Sequence, residues 1–554
     1  MIKVGLIIDE KVMSYQTLDL INKSKKSDNY EISIVINQIN SNKNNFIKRL
    51  LNYQKKNSFK GTIHRIFWTL TSRLDKLISL FAFNQKSNFT KDQIDKDKYE
   101  FLDFKPDISN SGYLYTFKET DINILKNKKL DVLIRLGSGI LQGDILDVCR
   151  FGVLSFHHGD NSINRGGPPG FWEVYNKEES TGFIIQQLTK ELDGGNVLLK
   201  GNITTSPIFY NNQFRLYEKS NIFMHKTLDR LGGDNKLPIF MDKKPYSYPL
   251  YVNPSTYEQF IYITNNLIPF ICSIFFKRFI LQRRRRWNVA YQYTDSWKDV
   301  VLRKSKTIKN PPKRYLADPF LFTLKENTVC FVEDYSYETQ KGHIAAIELS
   351  KSGYRMLGPV IKEDYHLSYP FIFEYENERY MCPESTQNKS IDIYVCEEFP
   401  SKWKYKKRLM NDVSAADTNI FYMDSKWWLL TNIDSSGTGE HCSELHIFYS
   451  DKPITENWIP HKNNPVIFDS KFARNGGLII DNKDIFRVFQ KHEIGLYGAS
   501  MGIAKIEILN EFEYKEKVLF HILPKFFKNI NGTHTFNHKN GIIAIDYAKN
   551  QNIK

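Results

Sequence analysis

Asp318-Pro-Phe-Leu-Phe322, followed after a turn by Val329-Cys-Phe-Val-Glu-Asp334, decides how the C-terminal half folds, because the same unit recurs. It returns as Tyr369-Pro-Phe-Ile-Phe373 with Arg379–Glu384, as Asp417-Thr-Asn-Ile-Phe421 with Trp427–Thr431, as Asn475-Gly-Gly-Leu-Ile479 with Ile485–Phe489, and as His534-Thr-Phe-Asn-His538 with Gly541–Ile545. Each unit is a strand with a polar first residue, a turn and a second strand, and successive starts lie 51, 48, 58 and 59 residues apart. Short-strand repeats of this period predict propeller blades, five in number, over residues 287–554. A β-sandwich with coincidental hairpins is the competing architecture.

Outward from this repeat the chain changes character. Phe260–Leu281 is apolar but broken by Asn265, Asn266, Pro269, Lys277 and Arg278, and it runs into Arg283-Arg284-Arg285-Arg286. A spanning helix needs about 20 predominantly apolar residues, so two placements fit better. One is a helix packed between domains. The other is an interfacial helix whose basic end meets anionic lipid, giving peripheral membrane contact through residues 260–287.

At the N-terminus, Val4–Ile8 and Ile32–Ile36 are buried-strand runs separated by helical spacing over Tyr15–Lys23, which predicts an open, mostly parallel α/β sheet. No GxGxxG follows the first strand, so no dinucleotide cofactor is indicated. An amphipathic helix is expected around Ile63–Phe81, and Asp131–Gly137 is a further buried strand. The predicted organisation is an α/β domain over 1–205, a linker over 206–286 and the repeat domain beyond it.

The 554 residues carry 41% apolar and 14% aromatic side chains, which suits two or three packed domains and excludes a disordered chain. The net charge of +15 favours anionic partners, although Lys- and Asn-rich coding gives the same balance. Six scattered cysteines without CxxC or His/Cys spacing predict no metal site and no disulfide framework. The opening run enters a strand without a signal peptide, so a cytoplasmic protein is expected, peripheral at the inner membrane face if the apolar segment touches lipid.

The block Gly152-Val-Leu-Ser-Phe-His-His-Gly-Asp-Asn-Ser-Ile-Asn-Arg-Gly-Gly-Pro-Pro-Gly170, continuing to Glu191-Leu-Asp-Gly-Gly195, supplies the chemistry of the first domain. His157 and Asp193 form a candidate pair in which the carboxylate fixes the imidazole tautomer. Arg165 and its glycines could cradle an anion. These residues resemble the 10-formyltetrahydrofolate-dependent formyltransferase family, with a Rossmann-type parallel sheet. The resemblance runs over about residues 1–205 and rests on His157, Arg165-Gly166, Thr181-Gly182 and Asp193. It implies catalytic roles for His157 and Asp193, a cofactor site at Leu136, Gly137 and Asp193, and 10-formyltetrahydrofolate as cofactor. The family's catalytic Asn falls on Ser155, a shorter donor, with Asn161, Asp160 or His158 as candidate replacements; loss of one oxyanion donor costs roughly 10²–10³ in rate. No tRNA-binding barrel follows, so no nucleic-acid partner is expected.

Carboxylates recur in the repeat: Asp318, Glu384 and Asp417, with His366, Arg474 and His534 as companions. Gathered at one mouth they would bind sugar or do glycosidic chemistry; as Asp and Pro at strand starts they would only make turns. Ala-Asp-Pro-Phe-Leu-Phe, His-Leu-Ser-Tyr-Pro and Pro-Glu-Ser resemble glycoside hydrolase family 43 and, more closely, the N-terminal part of the plant glucosamine inositolphosphorylceramide transferases. The hydrolase resemblance implies a base at Asp318, an acid at Glu384 and a pKa-modulating carboxylate at Asp417.

Together these features predict a transferase of bacterial surface-polysaccharide or glycolipid assembly that moves a formyl group to an amino sugar. The alternatives are a glycosyltransferase or glycosidase working through the carboxylates of the repeat, and a non-catalytic glycan-binding protein.

Overall fold

The computed structural model describes residues 1–9, 15–39, 59–83, 99–110, 112–191, 194–242, 244–279 and 283–552, which form two compact units, Met1–Ile271 and Cys272–Lys554.

The first unit is built on a seven-stranded sheet. In chain order its strands are β1 (Ile2–Ile8), β2 (Tyr30–Gln38), β3 (Glu100–Phe104), β4 (Val132–Arg135), β5 (Val153–His157), β6 (Ser180–Gln187) and β7 (Asn196–Thr204), and their spatial order is β7-β6-β5-β4-β1-β2-β3. Strands β1 to β5 are parallel, and β6 and β7 run antiparallel. Strand β1 is apolar almost throughout because both faces of a parallel sheet are covered. The chain winds outward through β2 and β3, then returns to β4 on the other side of β1. That reversal opens a crevice at the carboxyl ends of β1 and β4, where α/β sheets bind ligands.

Around the sheet lie α1 (Tyr15–Ser24), α2 (Phe59–Ala82), α3 (Glu119–Asn127), α4 (Phe209–Asp234) and α5 (Thr256–Tyr262), and α6 (Ile268–Phe279) begins in this unit and runs into the second. The expected linker over 206–286 is therefore corrected. Helix α4 buries Phe209, Leu216, Phe223, Leu228 and Leu231, as the wall of a core does. Helices α5 and α6 are joined without a break by a π-helical stretch, Ile263–Leu267.

The second unit is propeller-like: five antiparallel sheets succeed one another along the chain. The first four begin with β9 (Arg314–Leu324), β10 (Asn327–Ser336), β11 (Lys341–Leu349) and β12 (Tyr354–Ile361), then β13 (Ser368–Tyr375), β14 (Glu378–Glu384), β15 (Ser390–Glu398) and β16 (Lys402–Asn411). Strands β17 (Ala415–Met423), β18 (Lys426–Ile433) and β19 (Glu444–Ser450) follow, then β20 (Asn475–Asp481), β21 (Asp484–Glu493), β22 (Leu496–Leu509) and β23 (Tyr514–Ile522). The fifth sheet joins both ends of the unit: β8 (Arg283–Tyr293) pairs antiparallel with β25 (Ile542–Asn552), which also pairs with β24 (Phe536–Lys539). Each first strand touches the next, β9 to β13 to β17 to β20 to β24, and β24 returns to β9. The five repeated sequence units are the first hairpins of these sheets.

The basic run Arg283–Arg286 is not the end of an interfacial helix. It lies in β8. Arg285 donates to the carbonyls of Tyr497, Gly498 and Asn531, and Arg286 to those of Pro311 and Arg314. These two guanidiniums satisfy backbone acceptors inside the second unit, so Arg285 and Arg286 are spent on the protein's own carbonyls.

Candidate functional site

In the second unit the sequence places a bulge at the same point of the first strand in four sheets. Pairing registers shift after Ala317, Ser368, Ala416 and Asn475. Asp318, Tyr369 and Asp417 adopt left-handed backbone there, with φ of 49°, 45° and 49°, as does Gly477 at 139°. Bulges re-aim side chains, and left-handed non-glycine residues concentrate at functional sites. Opposite the residue before each bulge stand Glu333, Glu384 and Asn432 on the second strands.

The bulges gather a buried, charged cluster. Arg474 Nε donates to Asp417 Oδ2 at 2.7 Å, and Nη2 to Glu384 Oε2 at 3.5 Å. The Asp417 amide points at Glu384 Oε2 (3.3 Å), and Gln490 Nε2 donates to Asp417 Oδ2 (2.8 Å). Thr535 Oγ1 donates to Asp318 Oδ1 at 2.8 Å. His534 sits between two carboxylates, its Nδ1 2.5 Å from Asp546 Oδ2 and its Nε2 3.5 Å from Asp318 Oδ1. Trp287 stacks on that imidazole at 3.9 Å. His366 Nδ1 accepts the Gly342 amide, which leaves Nε2 to carry the proton, 3.6 Å from Glu333 Oε1.

Burial dominates the electrostatics. It pushes the Asp318, Glu333 and Glu384 carboxyls up, and neighbouring carboxylates add to the effect: Asp318 acts on Glu333, and Asp417 on Glu384. Burial would lower His534, but Asp546 and Asp318 outweigh it and raise its pKa, favouring an imidazolium. The cluster thus holds proton donors, an acceptor and fixed cations within one buried site. Asp318, His534 and Asp546 also bring ligand atoms within 4.8 Å of one another, close enough for a cation, a grouping the sequence reading did not anticipate.

All four residues expected here, Asp318, Glu384, Asp417 and His366, belong to this network, as do the companions Arg474 and His534. Glu333 and Asp546 were missed. Glu333 had a signal, since it follows Asp318 by the same 15 residues that separate Tyr369 from Glu384 and Asp417 from Asn432. Asp546 had none, because its partners lie elsewhere in the chain.

In the first unit, a cavity of about 280 Å³ opens at the sheet's switch point, lined by Gln16, Arg135, Leu136, Gly137, Ser155 and Asn221 among others. Gly137 is closely approached: a Cβ there would lie 2.4 Å from Gln38 Nε2 and 2.8 Å from Asp9 Oδ1, side-chain ends that would have to move aside. Leu136, Gly137 and Ser155 meet as expected, but Ser155 is 1% exposed and its hydroxyl accepts from Arg135 Nη1 (3.2 Å) while donating to Phe156 O. Arg135, which the sequence reading passed over, lies where a longer donor was sought. Burial lowers its pKa, with Asp9 opposing.

His157 Nε2 contacts the Asn164 carbonyl at 2.9 Å, and it is His158 that lines the cavity, its Nε2 3.0 Å from Ser220 Oγ and its pKa pushed down to about 3 by burial, with His157 adding. Arg165 and Asn161 do not line it. Arg165 Nε donates to Asn161 O (3.0 Å) and its guanidinium covers Tyr246, which steadies the loop. Asp193 lies outside the described residues. A larger cleft of about 770 Å³, lined by Asp147, Arg150, Thr189 and Glu191 among others, contains none of the expected residues that are described.

A curated rice relative (Oryza sativa subsp. japonica), glucosamine inositolphosphorylceramide transferase 1, is 36% identical over 210 residues, which are 37% of this chain and 28% of the relative. A methionyl-tRNA formyltransferase of Thermotoga maritima is 30% identical over 121 residues, 21% of this chain and 39% of that one. The chain thus spans well under half the length of either. A thermostable family-43 glycoside hydrolase structure aligns at 14% identity with a TM-score of 0.29, covering 37% of this chain and 75% of its own. Across residues 277–541, which hold the bulged strands and nearly all of the charged cluster, the chain matches the family described as the N-terminal part of glucosamine inositolphosphorylceramide transferase 1.

Proposed function

We propose that this protein is a transferase acting on a glycan or glycolipid, and that the buried cluster of the second unit engages the sugar. The observation that carries the reading is a buried cluster in which Arg474 holds Asp417 and Glu384, and Asp318, near enough to raise Glu384's pKa, stands against His534. Glu384, held protonated by burial and by Asp417, gives its proton to the leaving oxygen as the glycosyl C–O bond breaks. A carboxylate of the Asp318–His534 pair takes the proton of the acceptor hydroxyl as the new C–O bond forms. The match to a transferase family and the rice relative support a sugar acceptor over water.

The test is transfer from nucleotide sugars to glycan and glycolipid acceptors by the full chain, compared with Asp318→Asn and Glu384→Gln. Each variant should lose at least 100-fold in kcat/KM with its melting temperature kept. Unchanged turnover in both would sink the reading. Because Glu384 is the donor, the rate should fall as pH rises through its raised pKa, and Glu384→Gln should lack that limb.

A second reading has one observation in its favour. Arg135 Nε and Asn221 Oδ1, both lining the first unit's cavity, are buried without a hydrogen-bond partner. A donor and an acceptor left open suit a small polar heterocycle. Leu136, Gly137 and Arg135 would hold 10-formyltetrahydrofolate, which would supply the formyl group for an amino sugar. Calorimetric titration with a stable folate analogue decides it: wild type should bind, and Arg135→Met should weaken binding about tenfold. No binding by folded wild type removes this reading and leaves the first intact.

A further inference from the structure

Helix α2 packs Trp68 and Ile78 on the unit's core but fills its most deeply buried positions with polar side chains. Its buried face carries Thr71, Asp75 and Ser79, at 4%, 0% and 0% exposure. Asp75 accepts from the Tyr262 hydroxyl and the Tyr210 amide. Its outward face carries Ile63, Ile66, Leu70, Leu74, Leu77 and Phe81, between 45% and 80% exposed. Steps of three and four make this a single stripe, about 27 Å long at 1.5 Å per residue.

Helix α5 and the start of α6 lie beside it. His64 meets Gln259, Asp75 meets Tyr262 and Phe83 stacks on Phe270, so the two segments run side by side in the same direction. This neighbour too turns polar groups inward: Gln259 and Asn266 are buried and bonded to the carbonyls of Pro254 and Val174. It turns Tyr257, Phe260, Ile268 and Ile271 outward. The stretch Thr256–Phe276 has a mean hydropathy of 1.4, enough by composition to cross a membrane, yet only 22% of it is buried. The inward bonds hold this face against the unit's core, which suits lying in an interface.

We propose that this paired-helix face docks the protein on an anionic lipid surface. Charge selects lipid over a second copy of the chain. Among the described side chains of α2, the charged residues apart from the buried Asp75 are Arg65, Arg73 and Lys76, all cationic. Headgroup phosphates complement that rim, since basic residues near an anionic lipid surface are attracted to it, whereas a symmetric copy would set cation against cation. The apolar stripe enters the acyl boundary and the cations meet the phosphates above it. The proposal does not rest on the glycan reading.

Flotation of the full chain with vesicles of phosphatidylcholine, with and without phosphatidylglycerol, tests it. Wild type should float with the anionic vesicles. Leu70→Glu with Leu77→Glu should cut partitioning at least tenfold, and the milder Leu70→Ser with Leu77→Ser should cut it in the same direction if the glutamates disturb folding. Arg73→Gln should cut it severalfold and weaken its salt dependence. Three results would overturn the proposal: no flotation of wild type, equal flotation of both double variants, or a lipid-free dimer that these variants make monomeric. So would failure of Leu77→Cys to take up more water-soluble maleimide in lipid-free protein than wild type, whose exposed Cys272 sets the background, since the face would then be covered by the chain itself. Glycan titration is read separately and should be unchanged in the variants.

Discussion

Single residues set the chemistry here through what burial does to charge. Arg474, 8% exposed, holds Asp417 and bridges toward Glu384. Its replacement by Met strands two buried carboxyls, and losing one partner of a buried pair costs about 3–5 kcal/mol. Chemical unfolding of Arg474→Met should show that loss in the second unit. Asp75 gives a pH signature in the first. Burial raises its pKa to about 6 against hydrogen bonds from Tyr262 and from the Tyr210 and Phe209 amides. The folded state then binds more protons than the unfolded one between about pH 4 and 6, so stability falls as pH rises through that window. The fall is roughly 3 kcal/mol at most, at 1.36 kcal/mol per pKa unit. Asp75→Asn should flatten the slope of unfolding free energy there, and an unchanged slope would assign the titration elsewhere. Both effects were invisible in the sequence, because a lone Asp in a helix reads as a solvated charge until its neighbours are known.

At the scale of elements, close approach and bulges do the positioning. Gly166 has φ of 124°, and a Cβ there would lie 1.9 Å from the Tyr251 carbonyl oxygen, so the pairing of Arg165–Gly166 with Leu250–Tyr251 needs a glycine. Gly166→Ala should separate the two segments and lower the first unit's stability by about 1–3 kcal/mol, as strain at a special backbone position does; hydrogen exchange at Gly167, which bonds to the Tyr251 carbonyl, reports it. In the second unit the hairpins were legible because a strand–turn–strand unit is local. Strand β8 was not legible: four consecutive arginines look like a solvated or lipid-facing run until the guanidiniums of Arg285 and Arg286 find backbone carbonyls some 25 to more than 200 residues away. Helix α2 misleads in the opposite sense, since the amphipathic period was correct but its most deeply buried positions, Thr71, Asp75 and Ser79, are polar while most of its large apolar side chains stay exposed.

Over the whole molecule, the fifth sheet ties the first strand of the second unit to the last. A chain ending at Gly541 lacks β25 and leaves β8 without its partner along its full length. Calorimetry should then lose the second unit's transition while keeping the first unit's; a chain that keeps both would show that closure is not needed. The sequence by itself determined what local pattern encodes: the buried parallel strands of the first unit, the five hairpins, and the residue types from which the charged cluster is drawn. Periodicity and spacing carry those because they depend on neighbours along the chain. Only the tertiary structure decided that Arg474 serves Asp417 and Glu384, that Asp546 and Glu333 complete the cluster, that Arg135 claims the Ser155 hydroxyl, and which face of α2 is left outside. Each of these is a pairing between distant segments, and its energy comes from desolvation, a property of the surroundings that no residue carries in its name.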